Sequence, residues 1–326
     1  MTALPRRSLL ALLAAPAIAR AAETQPAGSW PARPVQVIVP IAAGGPTDAI
    51  ARILAQHLPP LLNDQPFVVD NRPGAGGQIG MRAAAGAAPD GYTMVIGNTG
   101  SVAINPLYQP NAGYTAADYT YASMLMVAPV VLVVRADLPV RTVQDLVGYI
   151  RARDRDFAFA SSGQGQSPDI AARLFLKSAG LEAAVASYRG AAPAVTDLLA
   201  GVVQAMFDTT TSLPHVKEGR LRIIAVANAE RSALLPEVPT MAEQGFAGFD
   251  VSSWYVAMMP KGTPAPILRR LSGAIATVMQ RPEVARQLAG LDAQPLHGTP
   301  EAARDFVNAQ VEHWRDVLRS LEVRAG

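Results

Sequence analysis

Apolar positions along this chain alternate between two rhythms. Val35 to Ala42 is a near-continuous apolar run, as expected of a strand buried on both faces. Ile50, Ile53, Leu54, His57 and Leu58 then recur at helical spacing, which predicts a helix packed back on the sheet. Phe67 to Asp70 and Tyr92 to Gly97 read as further short strands, separated by the turn NRPGAGGQIG and the alanine-rich helical segment MRAAAGAA. Strand, loop, helix and strand at this spacing imply right-handed crossovers and a parallel sheet.

The apolar segment from Tyr121 to Arg135 is long and contains Pro129, so it predicts two strands, or one bent strand crossing between domains. A second α/β series follows. TVQDLVGYIRAR, SPDIAARLFLKSAG and AAPAVTDLLAG read as helices, the last two stopped by glycine. FAFAS, AVASY, VQAMFD and RIIAVAN read as strands. Ser252 to Pro260 predicts a strand returning to the first domain, and two helices then close the chain. The final helix places Val307, Val311, Trp314, Leu318 and Leu321 on one face, with Thr299 as N-cap and Pro300 at N1. The expected fold is therefore two α/β lobes, each a mainly parallel sheet flanked by helices, joined by two crossovers. Residues 30–128 and 252–326 would form lobe 1, and residues 129–251 lobe 2. A cleft beyond the carboxyl ends of the strands is the expected site.

The length of 326 residues, half of them hydrophobic, accommodates this plan. No cysteine is present, which excludes a disulfide framework, thiolate metal sites and a cysteine nucleophile. The N-terminus changes the picture more. Arg6-Arg7, an apolar stretch from Leu9 to Ala19 and Ala19-Arg20-Ala21 read as a signal peptide over residues 1–21, of Sec or twin-arginine type. Removing Arg6, Arg7 and Arg20 from 28 basic residues leaves 25 against 26 acidic ones, a net charge of −1. A near-neutral mature chain without a basic stripe makes nucleic acid an unsuitable partner. No other apolar run is long enough to span a bilayer, so an exported, soluble protein is expected.

Candidate chemistry concentrates in the glycine turns. In Ala43-Gly44-Gly45-Pro46-Thr47-Asp48, Gly45 is the candidate N-cap, and free N–H groups there can bind an anion. No lysine or arginine lies in the turn, and neither the Walker nor the dinucleotide glycine pattern occurs. Asp48 would repel a phosphate dianion, so a carboxylate is the better guest. Gly76 and Gly77 form a second turn facing the same crevice. In the second lobe, Ser161, Ser162, Gly163, Gln166 and Asp169 follow a strand and open a helix. The G-x-S-x-G elbow is absent, and the histidines at 57, 215, 297 and 313 sit in no catalytic or metal-ligand spacing. Asp208 ends a strand near the crevice, as a site residue or as a cap for the turn TTTSLP.

The segments IVPIAAGGPTDAIARILA, VVDNRPGAGGQIG, ASSGQGQSPDIAARLF, YRGAAPAVTDLLAGVVQAMFD and LPEVPTMAEQGFAGFDVSSWYVAMMPKGTPAPILRRL resemble the Bug-type receptors of tripartite tricarboxylate transporters, from about Trp30 to the C-terminus. The resemblance implies a Venus-flytrap periplasmic binding protein that takes small organic carboxylates and uses no cofactor. By that pattern, Ala43 to Asp48, Gly76, Gly77 and Asn98 would hold a proximal carboxylate. Ser161 to Asp169, the turn Arg189-Gly190-Ala191 and Asp208 would line the distal half. Many relatives have serine and then histidine where this chain has Gln166 and Asp169. Asp169 would then either disfavour a second acid on the ligand or sit at its own helix N-terminus. Partners implied are membrane transporter subunits or, alternatively, a membrane sensor kinase; a monomer is expected. A remote alternative is an exported hydrolase using a serine of the ASSG turn.

Overall fold

The computed structural model describes residues 30–109, 111–153, 156–233 and 235–320. The signal-peptide segment and Leu321 lie outside these residues.

β1 (Val35–Val39) forms where the first apolar run begins, and every residue but Gln36 is buried. It pairs in parallel with β2 (Phe67–Asn71) and β3 (Thr93–Asn98), in registers Val35↔Phe67 and Gln36↔Thr93. β10 (Ser252–Pro260) adds antiparallel to β3, β4 (Tyr119–Pro129) to β10, and the edge strand β11 (Gln294–Pro295) to β4. The sheet order is β11-β4-β10-β3-β1-β2. The second sheet runs β7-β6-β8-β5-β9, with β5 (Val131–Arg135), β6 (Ala158–Ser161), β7 (Ala184–Ser187), β8 (Ala205–Asp208) and β9 (Leu221–Val226). Here β6 is parallel to β7 and β8, and β5 is antiparallel to β8 and β9.

Both sheets are thus mixed rather than mainly parallel. The parallel trios β2-β1-β3 and β7-β6-β8 match the sequence rhythm. The antiparallel members are β5, which enters the second sheet from the crossing, β10, which returns from it, and their neighbours. The long segment resolves into two strands, β4 and β5, with Val130 alone between them. Val130 N–H donates to Asn228 Oδ1 at 3.0 Å, Ala227 N–H donates to the Val130 carbonyl, and Val251 N–H to the Ala227 carbonyl. The crossings are therefore hydrogen-bonded to one another.

Among the described residues α1 (Pro46–His57), α2 (Gln78–Ala85), α3 (Asn105–Tyr108), α4 (Val143–Arg151), α5 (Ser167–Ala179), α6 (Ala191–Ala200) and α7 (Leu213–Lys217) connect the strands. Three helices, not two, follow β10: α8 (Ala265–Met279), α9 (Pro282–Ala289) and α10 (Pro300–Ser320). Pro282 separates α8 from α9, because a proline disfavours helical backbone at the residue before it. Arg281 is extended there, with ψ 132°. Ala302 N–H donates to Thr299 Oγ1 at 3.2 Å, as expected of the N-cap. Val307, Trp314 and Leu318 are buried. In the second sheet Phe159 and Phe207 stack, and Phe175 packs against both and against Phe246. These rings fix the strands whose carboxyl ends carry the site.

Candidate functional site

Four helices start from the turns at the strand ends: α1 (Pro46–His57) at Gly45, α2 (Gln78–Ala85) at Gly77, α5 (Ser167–Ala179) at Gln166 and α6 (Ala191–Ala200) at Gly190. None of the four has a side-chain cap. Their first N–H groups and positive dipole ends are therefore left for another acceptor.

The turns before α1 and α5 share one internal bracing. The Gly44 N–H donates to Asp48 Oδ2 at 3.0 Å, and Arg52 Nε donates to the same oxygen at 2.9 Å. The Gly165 N–H donates to Asp169 Oδ2 at 3.0 Å, and Arg173 Nε donates to it at 3.2 Å. Asn71 Nδ2 also donates to Asp48 Oδ1 at 3.0 Å and to the Ile41 carbonyl, tying the turn to β2. Burial alone would raise the Asp48 carboxyl. The Arg52 guanidinium, the Gly44 N–H and the Asn71 amide outweigh it and hold the group below the ordinary aspartate range. Asp169 is fully buried and sits at its own helix N-terminus. Both aspartates carry their own counter-charge.

The turns of the two sheets meet directly. The Gln166 side-chain amide, after β6, donates to the Gly76 carbonyl, after β2, at 2.7 Å. Asn105 Nδ2 donates to the same carbonyl at 2.6 Å. The Ala42 N–H donates to the Arg189 carbonyl at 3.2 Å. A methyl group added at Gly76 would lie 2.1 Å from the Gln164 carbonyl oxygen, and one at Gly190 would lie 3.1 Å from Ala42 Cβ. Ala43 and Gly44 remain exposed at this mouth, and Ala191 is buried behind it.

Between these contacts lies a cavity of about 170 Å³, lined by Pro40, Ile41, Gly74–Gly77, Ser162, Gln164 and Ser187–Arg189. Four residues anticipated from sequence line it: Gly76, Gly77, Ser162 and Arg189. Gln164 also lines it and lies within the Ser161 to Asp169 stretch expected to do so; Pro40, Ile41, Ser187 and Tyr188 are further lining residues that adjoin the flagged turns. Larger hollows of about 510, 430 and 310 Å³ lie on the α10 flank, beside α8, and at the crossings. None of them is lined by the turns that start α1, α2, α5 and α6, so the smaller cavity is the candidate.

The remaining anticipated residues have defined places. Asn98 is buried; its Nδ2 donates to Thr47 Oγ1 at 3.3 Å, and its Oδ1 accepts from the Ser101 N–H at 2.8 Å. The Gly163 N–H donates to the buried Ser161 Oγ at 3.2 Å. Asp208 is 1% exposed; its Oδ2 accepts from the Ser212 N–H at 2.7 Å, and its Oδ1 has no hydrogen-bonding partner. Burial pushes its pKa up, only partly opposed by Ser212 and the neighbouring N–H groups. Among the described residues no cluster of His, Cys, Asp or Glu is arranged to hold a metal ion, and no helix is long and apolar enough to cross a membrane.

Two α/β lobes, crossed twice by the chain and meeting at uncapped helix ends, define a periplasmic binding protein fold. The chain belongs to the tripartite tricarboxylate transporter receptor family, whose model matches residues 50–323. It is 37% identical over 296 residues to Protein BugT of Bordetella pertussis, covering 90% of each chain. It superposes on the periplasmic binding protein BugD with a TM-score of 0.86 at 32% identity, covering 90% of this chain and 99% of that one. The R. palustris protein Rpa4515, solved with adipate, matches with a TM-score of 0.86 at 34% identity, covering 90% and 98%.

Proposed function

We propose that this protein is an exported periplasmic receptor that captures a small organic carboxylate between its lobes and delivers it to the membrane subunits of a tripartite tricarboxylate-type transporter. Residues 30–128 with 252–326, and residues 129–251, are the bodies that move. Open lobes admit the acid, closure about the paired crossings buries it, and the closed form docks on the permease. The supporting observation is the convergence of four uncapped helix starts on one cleft. Four helix ends contribute about 1–4 kcal/mol together, at ~0.3–1 each. A micromolar affinity needs about −8 kcal/mol. Direct hydrogen bonds from N–H groups to a carboxylate, about 1.5–3 kcal/mol each, must therefore supply the larger share. The adipate bound in Rpa4515 is consistent with this chemistry.

Titration calorimetry against a panel of short mono-, di- and tricarboxylates tests the reading. At least one acid should bind with micromolar or tighter affinity and raise the melting temperature. Failure of every acid, with binding of a cationic or neutral solute instead, would reject it.

A further inference from the structure

Ser232 and Asp292 join the two lobes beside the crossings. Ser232 follows β9 of the second sheet, and Asp292 stands between α9 and the edge strand β11 of the first. The Ser232 hydroxyl lies 3.0 and 3.1 Å from the two carboxylate oxygens of Asp292, to which it donates. Asp292 is buried and adopts a left-handed backbone, φ 48°, which residues other than glycine rarely populate. The pair lines a cavity of about 310 Å³ together with Pro129, Asn228 and Ser252, which belong to the crossings themselves. A rotation of one lobe against the other about those crossings turns the hydroxyl relative to the carboxyl. A hydrogen bond of this length tolerates little displacement before it weakens.

Three other charged residues line the same cavity, and all three are exposed. Arg231 is engaged by Glu243 at 2.9 Å, and Asp250 Oδ1 accepts from the Ala229 N–H at 3.1 Å. The third is Glu230. The lining that β4 and β11 contribute, residues 127–129 and Gln294, is not titratable. Glu283 and Arg286 of α9 do not line the cavity. Asp292 is thus the buried ionisable group among the lining residues at the crossings.

We propose that the Ser232–Asp292 pair is a pH-sensitive latch on the hinge, through which acidification favours the arrangement with the lobes together. This goes beyond capture of an acid, because the latch biases the motion with no ligand present. Linkage sets the direction. Burial raises the Asp292 pKa, and the Ser232 hydroxyl opposes the rise only in part. Opening the lobes parts the pair and admits water to the carboxyl, which returns it toward the ordinary 3.8. Closure therefore takes up protons between 3.8 and the raised value. Across that window falling pH favours closure, and rising pH favours opening.

The chain has no cysteine, so Val68→Cys and Val202→Cys, at exposed positions on the first and second lobes, supply two unique dye sites. Single-molecule energy transfer on the ligand-free protein, over a pH series rising from 3.8 to neutral, reads the ratio of closed to open molecules. With Ser232 and Asp292 intact, this ratio should fall by roughly threefold or more as pH rises. Asp292→Asn should flatten the profile. Ser232→Ala keeps the carboxyl but removes the donor that opposes its raised pKa, so it should move the fall to higher pH. Thermal melts check that each variant folds, and Ser232→Ala carries the test if Asp292→Asn does not. A profile that is flat in the parent protein, that rises with pH, or that is unchanged by either variant would overturn the latch. Because no ligand is added, that outcome leaves the receptor reading standing; the receptor reading fails instead if no acid of the panel binds.

Discussion

The side-chain amide of Gln166 reaches across the cleft and donates to the Gly76 carbonyl at 2.7 Å. One residue opens a helix of the second sheet and the other sits in a turn after β2 of the first, so this bond exists only while the lobes are together. On the proposed receptor reading, this bond would help hold the closed form.

Gln166→Ala removes that bond and leaves the carbonyl with Asn105 as donor. A typical net hydrogen bond contributes about 1 kcal/mol. Ligand affinity should fall roughly fivefold, mainly through faster release, with the melting temperature of the unliganded protein little changed. Stopped-flow release kinetics measure this. An unchanged release rate would show that the bond does not hold the lobes.

Gly76→Ala should be more severe. The residue has φ 63°, and an added Cβ would meet the Gln164 carbonyl at 2.1 Å, a backbone atom that cannot swing aside. The variant should fold but fail to close. Small-angle scattering with saturating ligand should show a contraction of the wild-type protein and none of Gly76→Ala; equal contraction of both would contradict the prediction.

Two buried aspartates should give opposite pH signatures. Asp48 has a lowered pKa, so the unfolded chain binds more protons. Its contribution to stability is present above the ordinary value of 3.8 and is lost as pH falls through the lower folded value. Asp208 has a raised pKa, so the folded chain binds more protons between 3.8 and its folded value. Across that window stability falls as pH rises. Urea unfolding at a series of pH values should therefore show a weaker acid loss in Asp48→Asn and a smaller decline on raising pH in Asp208→Asn. Identical slopes in wild type and variant would contradict the assigned environments.

Phe175 lies at the centre of the ring cluster and is fully buried. Phe175→Ala should cost about 3–5 kcal/mol, read as a large fall in unfolding midpoint. A loss below about 1 kcal/mol would mean that the site rests on a different core.

Much of the fold was legible because its signals are local. Pro46 at a helix start, the glycine stops after α5 and α6, and the apolar runs of β1 and β3 each follow from one short segment. The mixed character of the sheets was not legible, because strand direction depends on which sheet a returning strand such as β10 joins. The third terminal helix has a local signal too, Pro282, which breaks the helical run between α8 and α9. The roles of Asp48 and Asp169 were readable in principle. Gly44-Asp48-Arg52 and Gly165-Asp169-Arg173 repeat one spacing, in which the arginine lies one helical turn beyond the aspartate and can neutralise it. Ser187 and Tyr188 carry no such pattern; only the meeting of two distant turns places them at the cavity wall.

The central claim is that main-chain N–H groups of the inter-lobe turns hold an acid. A crystal structure with the tightest-binding carboxylate tests it most directly. The account predicts ligand density between the turn after β1, the 74–77 turn and the Ser162–Arg189 wall, with at least one carboxylate oxygen within 3.2 Å of a backbone nitrogen or of a water bridging to one. An empty cleft with the acid seated on an outer face, or a carboxylate held wholly by side-chain cations, would contradict it.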